Sequence, residues 1–192
     1  SNYGVVVCDD TGRITAYQEK PTVEEANSTL VNTGIYVFEP SVINDIPRNV
    51  DYDIGGQLFP AILEKGLPFH AISIPFNWID IGYLSDYWEA NQLLMRGRLK
   101  DVHMPGTEVL PGIWIGLNVK VDFDEIRAEG PIYIGSAARV EAGCEIIGPT
   151  WIGHGCHLLE GARISRSILF EYSRIGSGGR VTESLVFGRN CV

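Results

Sequence analysis

One periodicity constrains this chain more than any other feature. Ile134, Val140, Ile146, Ile152, Leu158 and Ile164 stand six residues apart, and after a five-residue gap Leu169, Ile175, Val181 and Phe187 keep the same step. Four places after these apolar residues come Ala138, Cys144, Thr150, Cys156, Ala162 and Ile168, then Ser173, Gly179, Leu185 and Cys191, most of them small. Glycine follows the apolar residue at Gly116, Gly135, Gly153 and Gly176. A period of six is neither helical nor the alternation of an ordinary strand. One branched and one small inward residue per repeat describe short strands joined by tight corners and stacked coil on coil, with glycine supplying the corner backbone.

The ladder resembles the hexapeptide-repeat left-handed parallel β-helix, in which three hexads make one triangular coil. Such a scaffold does not by itself specify chemistry, so the function must be read elsewhere.

Ahead of the ladder the pattern changes. Tyr3 to Cys8 is a continuous apolar run, Asp9-Asp10-Thr11-Gly12 a turn, and Arg13 to Gln18 the returning strand of a hairpin. Thr22 can cap a short helix through Ala26. Leu30 to Phe38, Phe69 to Ile74 and Asn77 to Asp80 read as further strands. Pro40 to Ile46, Asp53 to Glu64 and Tyr83 to Met95 read as helices, the second ending at Gly66. Strands alternating with helices predict an α/β unit over residues 1–95. Residues 96–111, with Pro105-Gly106, then form a linker and residues 112–192 the β-helix.

Composition narrows the partners. Fifteen Lys and Arg against 24 Asp and Glu give a net charge of -9, which repels a nucleic-acid backbone. No apolar run approaches the roughly 18 residues of a membrane span, and no secretory pattern opens the sequence. Cys144, Cys156 and Cys191 fall at the small inward position, so they read as reduced core residues of a cytoplasmic protein without disulfides. The sequence opens with Ser1 rather than a methionine and reads as a strand already from Tyr3, from which we expect further sequence upstream.

Three short stretches carry candidate chemistry. In Glu19-Lys20-Pro21 the proline pushes Lys20 toward an extended conformation. Lysine is a mobile point charge suited to a phosphate, and a glutamate can accept two sugar hydroxyls. The competing reading is a solvated strand end. In Asn32-Thr33-Gly34 an amide inside an apolar strand needs partners, from a ligand hydroxyl or neighbouring backbone, and Gly34 marks a close approach. In Trp78-Ile79-Asp80-Ile81-Gly82 the carboxylate ends a strand, where α/β sheets bind ligands. It can hold Mg²⁺ or cap the helix that follows.

In this order, with Leu58-Phe59-Pro60 between them, these motifs resemble the sugar-phosphate half of the sugar-1-phosphate nucleotidyltransferases, most of all the mannose-1-phosphate guanylyltransferases with a C-terminal β-helix. The resemblance implies that Glu19 binds sugar hydroxyls, that Lys20 holds the sugar phosphate, and that Asn32 and Gly34 line the sugar pocket. It implies that Asp80 binds Mg²⁺ with a second Asp from the nucleotide-binding half. The implied substrates are a sugar 1-phosphate and a nucleoside triphosphate, GTP foremost. The β-helix of such proteins implies a homo-oligomer.

The family's opening Gly-x-Gly-x-Arg-Leu loop does not occur here, and Gly176-Ser177-Gly178-Gly179-Arg180 lies within the ladder. The chain therefore resembles a C-terminal portion, expected not to transfer a nucleotide alone. Two other readings remain. One is a non-catalytic regulatory or sugar-phosphate-binding module. The other is a hexad-repeat acyltransferase using His154 or His157 as base.

Overall fold

The structure is a computed structural model that describes residues 3–188 and the backbone of residues 190 and 191. It divides into two compact units between Trp78 and Ile79.

The first unit is built on a three-stranded antiparallel sheet of order β2-β1-β3, with β1 at Val5–Cys8, β2 at Ile14–Gln18 and β3 at Leu30–Val31. Its hairpin turn is closed by Asp9, whose Oδ1 accepts from the Thr11 N–H (2.9 Å), the Thr11 hydroxyl (2.6 Å) and the Arg13 N–H (3.1 Å). The strand predicted over Leu30 to Phe38 stops after two residues. Asn32 N–H still donates to Gly4 O at 2.8 Å, but Gly34 at φ +77° breaks the extended run. The predicted strand from Phe69 is reduced to a bridge between His70 and Arg13, and residues 77–80 form no strand. Ile35, Val37, Ile72 and Ile74, alternating as strand residues should, are all exposed.

Helical segments complete the unit. Pro40–Asp45 is a 3₁₀ turn with proline at its start. The predicted helix from Asp53 begins as a π-helical turn, Ile54–Leu58, because Asp53 O accepts from both Gln57 N–H (3.0 Å) and Leu58 N–H (3.2 Å). It continues as α1, Phe59–Glu64, and ends before Gly66 at φ +63°.

The second unit opens with α2, Leu84–Met95. Tyr87 on α2 stacks on Phe170 of the solenoid wall at 5.5 Å, and Phe170 on Phe187 at 4.2 Å. This packing sets α2 against the solenoid, within the compact unit that begins at Ile79. The segment expected as linker also contains β4, Thr107–Leu110, paired antiparallel with β5, Ile113–Ile115.

The predicted ladder is a parallel β-solenoid. After β6 (Arg127–Glu129), one coil comprises β7 (Ile132–Ile134), β8 (Arg139–Val140) and β9 (Glu145–Ile147). The next comprises β10 (Thr150–Ile152), β11 (His157–Leu158) and β12 (Arg163–Ser165). The third comprises β13 (Ile168–Leu169), β14 (Arg174–Ile175) and β15 (Arg180–Thr182), followed by β16 (Leu185–Phe187) and an antiparallel β17 (Asn190–Cys191). Three walls result, β17-β16-β13-β10-β7-β5-β4, β14-β11-β8 and β15-β12-β9-β6.

Register explains the gap in the repeat. Ile134 pairs with Ile152, a coil of 18 residues, but Ile152 pairs with Leu169 and Leu169 with Val186, coils of 17. The inward residue of the last wall is therefore Val186, 5% exposed, and not the predicted Phe187, which stacks outside on Phe170. Ile132, Ile134, Ile146, Ile152, Leu158 and Leu169 are fully buried, as are the small residues Ala138, Thr150, Cys156, Ala162 and Ser173. Each branched side chain so buried contributes on the order of 1.5–3 kcal/mol. Glycine is needed where coils touch: a Cβ on Gly135 would lie 2.7 Å from the Gly153 carbonyl carbon, and one on Gly148 2.2 Å from Pro131 O.

Cys144 and Cys156 are buried in this interior, which pushes both thiols up. The side chain of Cys191 lies outside the described residues. Among the described residues, no helix is long and apolar enough to cross a membrane.

Candidate functional site

Four of the five candidate residues belong to the first unit. β2 ends at Gln18, so Tyr17 and Glu19, two apart on an extended strand, share a face. The Tyr17 hydroxyl donates to Glu19 Oε2 at 2.9 Å and accepts from Asn32 Nδ2 at 3.2 Å. The second Asn32 Nδ2 proton goes to the Tyr36 hydroxyl at 2.6 Å, and Asn32 Oδ1 accepts from the Gly34 N–H at 2.9 Å. The amide is thus satisfied inside the unit. Its partners are two phenols and its own loop, and it ties the Gly34 turn to Glu19 through Tyr17.

The scaffold beneath is aromatic. Phe59, 2% exposed, sits edge-on to Tyr17 at 4.9 Å and to Tyr36 at 5.2 Å. That gives Leu58-Phe59-Pro60 its role, since Phe59 fixes both phenols from below. Burial is the main reason the Tyr17 phenol is pushed up to about 12, with the Asn32 hydrogen bond opposing and Glu19 adding to the shift. The hydroxyl therefore stays protonated and keeps donating to the Glu19 carboxylate. Trp78 closes the loop from its far side, donating from Nε1 to Thr33 O at 3.2 Å and packing edge-on to Tyr3 at 5.0 Å.

Gly55 completes this cluster. A Cβ there would lie 2.5 Å from Glu19 Oε2 and 2.9 Å from the Tyr17 hydroxyl. The turn that presents Gly55 is held by Asp53, which accepts from the Gly56 N–H with its carboxylate and donates from its N–H to Gln57 Oε1 at 2.8 Å.

Lys20 differs from its predicted extended form. Its φ is +46°, in the left-handed region, which costs a residue with a Cβ about 1–2 kcal/mol. The ammonium stands 3.8 Å from Glu19 Oε1 and its side chain is 65% exposed. A weak, solvated ion pair leaves the charge available to an incoming anion.

Asp80 belongs to the second unit. It is exposed and, among the described residues, makes no hydrogen bond or ion pair. The helix-capping alternative is excluded, because Asp86 caps α2, accepting at Oδ2 from Tyr83 N–H (2.9 Å) and Gly82 N–H (3.2 Å). Among the described residues no three His, Cys, Asp or Glu side chains converge as a metal site.

The solenoid histidines stand on the outer wall as the repeat predicts. His157 Nε2 lies 2.7 Å from Glu141 Oε1, and His154 packs edge-on to Tyr172 at 5.3 Å. The glycines of residues 176–179 are corner residues whose N–H groups serve the coil, Gly178 donating to Glu160 O and Gly179 to Gly176 O, each at 2.9 Å.

Comparison with known proteins identifies the family. The chain is 52% identical, over all 192 residues, to a UTP–glucose-1-phosphate uridylyltransferase of Synechocystis sp., of which it covers 50%. It is 32% identical over 199 residues to a probable mannose-1-phosphate guanylyltransferase of Arabidopsis thaliana, covering 99% of this chain and 52% of that one. It is 27% identical over 207 residues to a glucose-1-phosphate adenylyltransferase of Desulfitobacterium hafniense, covering 100% of this chain and 48% of that one. The chain spans about half the length of these curated relatives. Residues 1–97 match the nucleotidyl transferase family, and the chain belongs to that family.

Proposed function

We propose that this chain carries the sugar-phosphate part of a sugar-1-phosphate nucleotidyltransferase. The observation that carries the reading is the braced carboxylate of Glu19, held by the Tyr17 hydroxyl that Asn32 in turn fixes, beside the exposed ammonium of Lys20. A fixed carboxylate accepts sugar hydroxyls, and a mobile cation next to it takes the phosphate. Asn32 and Gly34 shape the pocket wall. In the reaction a phosphate oxygen of the sugar 1-phosphate attacks the α-phosphorus of a nucleoside triphosphate, and pyrophosphate leaves. Positioning and charge neutralisation carry such a step, and no side-chain nucleophile is required.

Mg²⁺ would be held by Asp80. An exposed carboxylate without a partner among the described residues fits an ion that keeps most of its waters and binds through one or two carboxylates and substrate phosphates. When bound, the ion neutralises charge developing on the phosphates. The triphosphate-binding loop and a second carboxylate are assigned to residues outside these 192, and we expect transfer to require them.

Glucose 1-phosphate with UTP is the favoured pair, supported by 52% identity over the whole chain to the uridylyltransferase. Mannose 1-phosphate with GTP, implied by motif order, is the second reading, supported by the 32% identical guanylyltransferase. The proposed setting is a homo-oligomer in the cytoplasm.

Pyrophosphate release by the protein as encoded, measured with each sugar 1-phosphate against UTP and GTP, tests the reading. Glucose 1-phosphate with UTP should give the highest kcat/KM, and residues 1–192 alone should give none. Turnover by residues 1–192 alone would overturn the division of labour.

A further inference from the structure

The β6-β9-β12-β15 wall carries a charge pattern that substrate binding in the first unit does not use. In register along that wall lie Arg127, Glu145, Arg163 and Arg180. Glu145 separates the first two arginines, pairing with Arg127 at 2.7 Å and more loosely with Arg163 at 3.8 Å. Nothing separates Arg163 from Arg180, which are direct neighbours on β12 and β15. Like charges opposite one another destabilise a sheet, and adjacent strands are only about 4.8 Å apart.

The neighbouring outward row supplies hydroxyls. Two residues along each strand, Ser165 and Thr182 are paired, with Ser165 Oγ donating to Thr182 Oγ1 at 3.1 Å. Two guanidinium groups and two hydroxyls thus form one block on the outer face of a single strand pair. Arg166, pairing with Glu183 at 2.8 Å, borders it. The block lines a shallow cleft of about 310 Å³ together with Glu145 and Ile147. Arg180 has no carboxylate partner among the described residues, in a chain of net charge -9.

We infer that this cleft binds a phosphate dianion, inorganic or the phosphoryl end of a small metabolite, clamped between Arg163 and Arg180 with the Thr182 hydroxyl as a further donor. Arginine presents a planar donor fork suited to a phosphate, and an anion there removes the Arg–Arg repulsion. The site is independent of the sugar-phosphate pocket around Lys20.

The test is an equilibrium titration of the protein with inorganic phosphate, glycerol 3-phosphate and pyrophosphate in turn. Ionic strength is held constant with chloride, and the Arg Nε–Hε resonances are followed by NMR. Saturable shifts of Arg163 and Arg180 are expected, and they persist in Lys20→Ala. Arg180→Gln should weaken binding about tenfold, the loss of one charge-assisted contact, while Arg174→Gln on another wall changes it less than twofold. The three titrants distinguish free phosphate from a monoester or a diphosphate. Shifts that grow linearly without saturation, that chloride reproduces, or that Arg174→Gln weakens as much as Arg180→Gln would overturn the inference.

Discussion

The Tyr17 hydroxyl stands 2.9 Å from Glu19 Oε2 and 3.2 Å from Asn32 Nδ2, so one half-buried phenol joins the two motifs that face the proposed sugar. Its proton points to the carboxylate and its lone pair to the amide. Removing the hydroxyl frees both at once.

Tyr17→Phe should therefore raise KM for the sugar 1-phosphate about tenfold with a smaller effect on kcat, and should destabilise the fold by about 1–2 kcal/mol, because one Asn32 Nδ2 proton loses its acceptor while the bond to Tyr36 remains. Gly55→Ala should raise the same KM without removing any hydrogen-bonding group, because its Cβ would press on Glu19 Oε2 at 2.5 Å. Steady-state kinetics and a denaturant melt check both. An unchanged KM in Gly55→Ala would separate that turn from the site.

The same phenol predicts an alkaline limit. Its pKa in the fold, about 12, lies above the ordinary tyrosine value of 10.0. The folded state therefore holds the proton more tightly than the unfolded chain. Stability from this group is fully present below pH 10 and is lost as pH rises through 12. Wild type should lose more stability across that interval than Tyr17→Phe, read as denaturation midpoints at each pH.

Lys20 offers a test that separates backbone from charge. At φ +46° the position suits glycine. Lys20→Gly should be more stable than Lys20→Ala by about 1 kcal/mol, yet both should lose the sugar phosphate alike. Equal stability of the two variants would contradict the left-handed conformation.

In the solenoid, Ile152→Ala removes a fully buried side chain from the coil interior and should cost about 2–5 kcal/mol. Urea unfolding measures it. A cost under 1 kcal/mol would mean the coils collapse around the cavity.

Asp80→Asn keeps the shape and removes the charge. With α2 capped by Asp86, the thermal midpoint should stay within a degree or two, while kcat/KM falls about 10²–10³-fold, as for loss of a group that stabilises transition-state charge. A large drop in the midpoint would return Asp80 to a structural role.

What the sequence reveals here depends on range. The solenoid is legible because each coil repeats a local rule, one branched and one small inward residue. The last coil is misread because a second five-residue corner separates Val181 from Val186, and with Phe187 also apolar the period alone cannot locate it. Asn32 stands out as an amide inside an apolar strand, whereas Glu19 and Lys20, flanked by Gln18 and Thr22, are legible only through the Glu-Lys-Pro motif and its place in the motif order. Tyr17 does not stand out, since tyrosine is ordinary in a strand, although its two-residue spacing from Glu19 places both on one face. Gly55 is illegible for a stronger reason. Its contact with Glu19 joins segments 36 residues apart in the sequence, and nothing local marks a glycine inside a helical turn as the floor of a site. By spacing Asp80 reads first as the helix cap and only second as a ligand, until Asp86 is seen to take the cap.

The most direct test of the account is an equilibrium titration of glucose 1-phosphate into the protein, in the wild type and in Lys20→Ala and Glu19→Gln. The account predicts saturable binding that weakens at least about tenfold in each variant, the loss of one charge-assisted contact. Binding that is indifferent to both substitutions, or no saturable binding in the wild type, would contradict it.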